Sequence, residues 1–490
     1  MITLDFSKRA GAGLCDFLCD SLRSQISGGK LKADEKLPSK RSLASHLGVS
    51  VITVQNAYER LIDEGYIYSV EKKGFFVTDI AVKEESDDRQ NKGGQESNLS
   101  SAPESLPSEA AGDSDRAGNY FFDFRSNTPN IERFPFSLWA REMRRLLGRG
   151  DEKLLQRQGV KGVYELRQAL SRHLSSFRNM KVNPEQIVIG AGTESLYSML
   201  VQFFGSDKIF AVENPGYHKI AKIFQVNGAR TIPVKIDTQG IPPQLLEKHK
   251  IDIVHLSPSH HFPTGRVMPI RRRLELLQWA EEKSSRYIIE DDYDSEFRFA
   301  GKPLAPLLNT GSNEKVIYVN SFSKTIAPSF RISYMILPPP LALDFQKKLG
   351  FYSCPVSAFE QFTLAAFIDE GLYERHLIRM KNYYRNLRNT LIYALEKSRI
   401  SKMISIQEEE AGLHFLLSFK SKRRGSDLKN AFARAGLNLP LLEEFFYDDS
   451  EKDFLPEEEN SQTFVINYSA LEKEKIPEIV SRMENAIQCS

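Results

Sequence analysis

Tyr318-Val319-Asn320-Ser321-Phe322-Ser323-Lys324-Thr325, with Arg331 seven residues beyond the lysine, is the stretch that decides how this chain reads. An apolar, strand-like run passes into Ser-x-Ser-Lys. A primary amine with hydroxyls before it and a guanidinium after it suits one task. The amine of Lys324 can form a Schiff base with an aldehyde cofactor, while Ser321, Ser323 and Arg331 hold that cofactor's phosphate. Alone, Lys324 reads as a surface lysine; its neighbours in the chain decide otherwise.

Short β-rich runs alternate with amphipathic helical patterns on both sides of this stretch. The runs are 186–189, 208–212, 251–256, 287–290 and 316–319, with helical stretches such as 271–283 between them. That alternation predicts βαβ units and a mostly parallel sheet. Beyond residue 353 a long helical pattern leads into a smaller α+β tail with strands near 413–417 and 463–468.

Four motifs lie at the predicted strand ends, where α/β sheets place ligands. Gly190-Ala191-Gly192-Thr193-Glu194-Ser195 opens a helix and offers backbone N–H groups to an anion. Glu213-Asn214-Pro215-Gly216-Tyr217 presents an aromatic ring for stacking on a planar cofactor. Ser257 to Gly265, containing His260 and His261, is a loop after a strand. Glu290-Asp291-Asp292-Tyr293-Asp294 ends another strand. A pyridine ring becomes an electron sink only when its nitrogen is protonated, and a carboxylate beside that nitrogen maintains the proton. Asp291 is the candidate, with Tyr293 hydrogen-bonding the ring hydroxyl. Taken singly, Asp291 reads as a helix cap, Tyr217 as a core aromatic and the glycines as an ordinary turn.

The amino-terminal region has a different grammar. Ser39 caps a helix whose stripe is Leu43, Ala44 and Leu47; Gly48 ends it. Ser50 caps a second helix with Val54, Ala57, Tyr58 and Leu61 facing inward. This is a helix-turn-helix, and residues 64–68 and 74–77 suit the strands of a wing with Lys72 and Lys73 at its tip. From Val82 to about Asn119 large apolar residues almost vanish, which predicts a flexible linker.

The signature Leu-Pro-Ser-x-Arg, Leu-Ala-x-x-Leu-x-Val-Ser, Thr-Val-x-x-Ala-Tyr-x-x-Leu and Glu-Gly resembles the GntR-type winged helix-turn-helix. The resemblance implies that Ser39, Arg41, Ser50, Thr53 and Gln55 approach double-stranded promoter DNA, with Lys72 and Lys73 on phosphates. The region from 120 onward resembles the fold-type I aminotransferases, which use pyridoxal 5′-phosphate. The stretches carrying it are Pro-Ser-His-x-Phe-Pro-Thr-Gly, Ile-Ile-Glu-Asp-Asp-Tyr-Asp-Ser-Glu-Phe-Arg and Ser-Phe-Ser-Lys-Thr-x-Ala-Pro-x-x-Arg. The joined chain resembles the MocR-type regulators. That implies a cofactor set of Gly192, Thr193, Glu194, Tyr217, His260, Asp291, Tyr293, Ser321, Ser323, Lys324 and Arg331. It also implies a homodimer, whose linkers would let each DNA-binding head rest on the partner's large domain. The expected division is a head over 1–80, a linker over 81–119 and an aminotransferase-like domain over 120–490. The last splits into a large subdomain (about 160–350) and a small one (about 351–490). No metal site is expected.

Four departures matter. Val51 stands where this family often has Arg, so the operator should differ. His261 replaces a Gln and is read as a satisfied loop histidine rather than a neutral-pH titrating group. Ser329 replaces a Gly. Val465 stands where amino-acid-binding relatives carry the Arg that clamps a substrate carboxylate, and valine cannot build that clamp. Arg157 lies near the usual position of a partner-subunit Tyr. The expected function is a transcriptional regulator sensing pyridoxal 5′-phosphate or an amine or amino-acid effector. Net turnover is not expected, though a residual half-reaction is compatible with Lys324. The alternatives are a working aminotransferase with an accessory DNA-binding domain, and a DNA-binding protein whose large domain only dimerises.

Composition sets outer limits. The 490 residues exceed one ordinary domain, and a net charge of +2 confines nucleic-acid binding to a local patch. The four cysteines, Cys15, Cys19, Cys354 and Cys489, have no metal-site spacing and fit a reducing cytoplasm. No stretch has the roughly 20 apolar residues that a membrane span needs.

Overall fold

The computed structural model describes residues 13–28, 30–32, 34–63, 65–70, 74–78, 120–126, 128–130, 133–299, 305–310, 314–447 and 462–488. The proposed linker, Lys72, Lys73 and Cys489 therefore lie outside the described residues.

Three helices and a hairpin form the amino-terminal head: α1 (Leu14–Ser27), α2 (Lys40–Leu47), α3 (Val51–Asp63), β1 (Ile67–Val70) and β2 (Gly74–Val77). Helix α1 buries Leu18, Cys19, Leu22 and Ile26, a stripe at helical spacing, so Cys19 is a core residue. The Ser39 hydroxyl accepts the Ser42 N–H at 3.1 Å, and Gly48 ends α2 in the left-handed conformation (φ 64°) that favours glycine. Ser50 caps α3 through the Thr53 N–H at 3.0 Å. Val54, Ala57, Tyr58 and Leu61 are fully buried against α1 and α2. Strands β1 and β2 pair antiparallel, from Ile67 opposite Val77 to Val70 opposite Gly74.

The large lobe is a seven-stranded sheet made of β4 (Ile187–Ala191), β5 (Ile209–Asn214), β6 (Arg230–Lys235), β7 (Ile253–Leu256), β8 (Tyr287–Asp291), β9 (Val316–Ser321) and β10 (Ile332–Ile336). Their order is β4-β10-β9-β8-β7-β5-β6. All neighbours are parallel except those of β10, which runs antiparallel to both β4 and β9. Strands buried on both faces need near-continuous apolar runs, which is why most were readable as short hydrophobic stretches. One face carries α4 (Phe136–Gly148), α5 (Tyr164–Arg178), α8 (Pro243–Lys248), α9 (Ile270–Glu281) and α11 (Ala358–Asp369). The other carries α6 (Thr193–Phe204), α7 (His218–Val226) and α10 (Pro339–Leu349).

Helix α12 (Leu372–Lys397) links the lobes: Leu372 and Tyr373 join the large-lobe core, whereas Met380, Tyr384, Leu387, Leu391 and Leu395 join the small-lobe core. The small lobe adds β11 (Ile404–Gln407), β12 (His414–Phe419), α13 (Gly425–Arg434), β13 (Leu437–Asn438), β14 (Thr463–Asn467) and α14 (Ile476–Gln488). Two features shift the lobe boundary from the one expected near 350. Helix α11 packs with the large lobe, and β3 (Phe122–Asp123) pairs in parallel with β13, so this strand belongs to the small lobe.

The head packs on its own chain's large lobe, at the start of α9. Ile270 is 3% exposed inside the head's core, and Leu274 packs beside it. Gly65 sits at φ 77°, and a Cβ there would stand 3.2 Å from the Ile270 nitrogen. Glycine thus serves this contact twice, by conformation and by close approach.

Candidate cofactor site

The sheet's carboxyl ends bring the predicted residues together. Lys324 follows β9, Asp291 ends β8, Gly192 follows β4 and opens α6, and Tyr217 precedes α7. Lys324 is buried, and burial pushes its amine from 10.5 down to about 7, with nearby Asp294 pulling upward. A large fraction is therefore neutral, and nucleophilic, at neutral pH.

Asp291 is buried between two partners that the sequence reading did not single out. The Tyr197 hydroxyl donates to Asp291 Oδ2 at 2.8 Å, and His255 Nε2 lies 3.0 Å from that hydroxyl and 3.4 Å from the same oxygen. Asp291 Oδ1 is buried with no hydrogen bond. An orphaned carboxylate oxygen is costly unless a donor completes it, and a protonated ring nitrogen is such a donor. Tyr197 lies one turn beyond Thr193 on α6, so its shared helix face was the available signal.

Arg331 meets Gly192, and the two serines bond each other. Arg331 adopts the left-handed conformation (φ 49°), and its Nη2 donates to Glu194 Oε2 at 2.6 Å. A Cβ on Gly192 would overlap that guanidinium and stand 2.7 Å from its Cζ. Ser321 Oγ donates to Ser323 Oγ at 2.9 Å and accepts the Ser323 N–H at 3.1 Å. Thr193 begins α6, whose Gly192 N-cap offers no side-chain acceptor to the first-turn N–H groups. Glu194 reaches the same place, but its carboxylate pairs with Arg331 and Lys219. Only its backbone N–H can serve an anion.

His260 lies in a buried cluster. Its Nδ1 is 2.9 Å from Asp294 Oδ2 and 3.2 Å from the Tyr293 hydroxyl, and its ring is 4.5 Å from that of His414. Asp294 and His414 are further residues that sequence reasoning missed, being far from His260 in the chain. Gly412 makes the cluster possible: at φ 69°, a Cβ would overlap the His260 ring and stand 2.5 Å from Asp294 Oδ2. One ligand atom each from His260, Asp294 and His414 lie within 4.8 Å of one another. The Asp294–His260 hydrogen bond accounts for that spacing, and we assign no metal.

His261 bonds Thr264 Oγ1 at 2.7 Å through Nδ1, and burial pushes it down to about 3. It is a neutral loop histidine. Burial also raises Glu213 to about 8. Tyr217 is 43% exposed with its ring 5.9 Å from that of Phe262. Val465 is buried in an apolar cluster with Leu416 and Leu442, packed by Phe262 and Phe445. Arg157 bonds Ser353 Oγ at 2.5 Å.

Two anchors hold the site's loops. Asp292 pairs with buried Arg178 and accepts from the Tyr318 hydroxyl at 2.7 Å and Ser295 Oγ at 2.9 Å. Burial opposes the Arg178 charge, but Asp292 beside it holds the guanidinium above its ordinary pKa. On the other side, Arg273 of α9 donates to the carbonyls of Met268 and Pro258 at 2.9 Å each and to that of Ala305 at 2.8 Å. This ties both ends of the His260 loop to the helix that carries the head.

In the head, Ser39, Arg41, Ser50 and Gln55 are exposed and Thr53 is half-buried. Ser50 and Thr53 hydroxyls bond each other at 2.8 Å, and Gln55 Nε2 donates to Glu59 at 2.9 Å.

Comparison with known proteins agrees with both halves. Residues 122–482 match Aminotransferase class I and II, and residues 14–77 match the bacterial regulatory proteins of the gntR family. The HTH-type transcriptional regulator YdeL of Bacillus subtilis is 36% identical over 79% of this chain and 80% of its own length. The probable rhizopine catabolism regulatory protein MocR of Rhizobium meliloti is 30% identical over 96% of this chain and 92% of its own. An archaeal alanine:glyoxylate aminotransferase shares the large-domain fold at TM-score 0.63, with 22% identity over 74% of this chain and 90% of its own. Fold and site thus define an aminotransferase class I and II domain joined to a gntR head. The chain belongs to the MocR-type HTH transcriptional regulators, DNA-binding proteins with an aminotransferase-like domain. Among the described residues, no helix is long and apolar enough to cross a membrane.

Gly412→Ala is expected to separate His260 from Asp294 and to destabilise the protein by about 1 kcal/mol or more through the left-handed backbone alone. Histidine side-chain NMR reads the first effect and thermal melting the second; an unchanged His260 resonance would contradict it.

Proposed function

We propose that this regulator holds pyridoxal 5′-phosphate at Lys324 and changes its grip on promoter DNA with the state of that site. The observation that carries this reading is the buried, near-neutral amine of Lys324 beside Asp294, in a lobe where Asp291 also keeps a buried oxygen without a hydrogen bond. Arg331, Ser321, Ser323 and the start of α6 would hold the phosphate. Asp291, fixed by Tyr197 and His255, would keep a proton on the ring nitrogen. Tyr217 would lie against the ring face, and Tyr293 would bond the ring hydroxyl. Bound there, the cofactor supplies a reactive carbonyl and an electron sink.

The effector is the cofactor itself or an amine or amino acid joined to it. The apolar surroundings of Val465 speak against a carboxylate clamp at that position, and so against ordinary turnover of α-amino acids. The intact Lys324 and Asp291 speak against a large domain that only dimerises, and leave a working aminotransferase as the second reading. Sustained keto-acid production from an amino donor at enzyme-like rates would establish it in place of the sensor.

Coupling follows from the chain's own connections. A ligand that moves His260 displaces a loop whose ends Arg273 ties to α9. The head rests on the first residue of α9, so its orientation follows. A homodimer fits the exposed apolar surface of Leu155, Phe351 and Tyr352. Arg157–Ser353 and the Gly159–Ser353 bridge bring these segments together. Sedimentation of the cofactor-loaded protein as a monomer would contradict this.

The rate at which cofactor-free protein combines with pyridoxal 5′-phosphate should rise with pH and level off above about 7, the pKa of Lys324. A midpoint near 10 would show an ordinary exposed amine. Operator affinity, measured by fluorescence anisotropy, should differ at least several-fold with and without the cofactor, and Lys324→Ala should remove that difference. Ile270→Asp places a charge in the head's docking contact. It should leave DNA binding measurable and cut its dependence on cofactor; full dependence in this variant would break the proposed route.

A further inference from the structure

Helix α3 meets solvent with an unusual first turn. Val51 is 42% exposed and Ile52 is 70% exposed, whereas Val54, Ala57, Tyr58 and Leu61 of the same helix are fully buried. Two β-branched apolar residues at the start of a helix bring little helix propensity, and outside a core they bring no burial. Among the described residues, nothing in the head's own packing accounts for them. The polar residues around them are committed locally: Ser50 to Thr53, and Gln55 to Glu59. The first turn carries no acidic residue, so nothing there repels a phosphate backbone.

In a helix-turn-helix the second helix enters the major groove with its first residues against base edges. Among those edges only thymine presents an apolar group, its 5-methyl. We infer that Val51 and Ile52 read thymine methyl groups, so that each operator half-site carries thymine where α3 enters the groove. The inference rests on the DNA-binding role of the head and adds its specificity.

The test uses the full-length protein. Duplexes are first selected from a random-sequence library, and the selected duplex is then remade with deoxyuridine replacing one thymidine at a time. That exchange keeps every hydrogen-bonding group and removes only the methyl. One or two positions per half-site should lose affinity by about four-fold for each methyl removed. The sensitivity should vanish in Val51→Ser/Ile52→Ser, with circular dichroism verifying that this double variant keeps its fold. A selected duplex indifferent to every replacement, or one whose sensitivity persists in the double variant, overturns the methyl reading while leaving DNA binding intact. Failure to select any duplex overturns DNA binding by the head and the inference with it.

Discussion

The burial of one amine constrains the rest of the large lobe. Lys324 lies at the end of β9, out of water, where a full positive charge is expensive. The fold answers by letting the amine shed its proton near neutrality. Its surroundings keep to the same logic: burial pushes His261 down and Glu213 up, so each disfavours its charged form. The site concentrates its fixed charge in a few paired groups and leaves Asp291 one unmet oxygen.

That arrangement is supported from outside the pocket. Asp292 and Arg178 fasten the turn that carries Tyr293 and Asp294, and Gly412 lets a small-lobe strand approach close enough to enclose His260. Arg273 fastens the His260 loop to α9, on whose first residue the head is packed. The same contacts that order the pocket therefore reach the DNA-binding head without a separate relay. The head packs against the large lobe of its own chain.

Much of this was legible in the sequence because it is local. The parallel strands are continuous apolar runs, since both faces are buried, and the helix-turn-helix announces itself through Ser39, Gly48 and Ser50. Strand β6 escaped because Pro233 interrupts it, which an edge strand tolerates. Strand β10 follows so closely on the lysine motif that it was absorbed into it. The motif residues were found where strands end. The Tyr197–Asp291 and His260–Asp294–His414 contacts were not, because they join segments far apart in the chain, and the second depends on a glycine whose role appears only when backbones meet.

Peptide mapping tests the central claim most directly. The protein is incubated with pyridoxal 5′-phosphate, reduced with borohydride and digested, and the pyridoxyl mass is located. The account predicts a single stoichiometric adduct on the peptide containing Lys324. No adduct, or one scattered over exposed lysines such as Lys347 and Lys402, would contradict it.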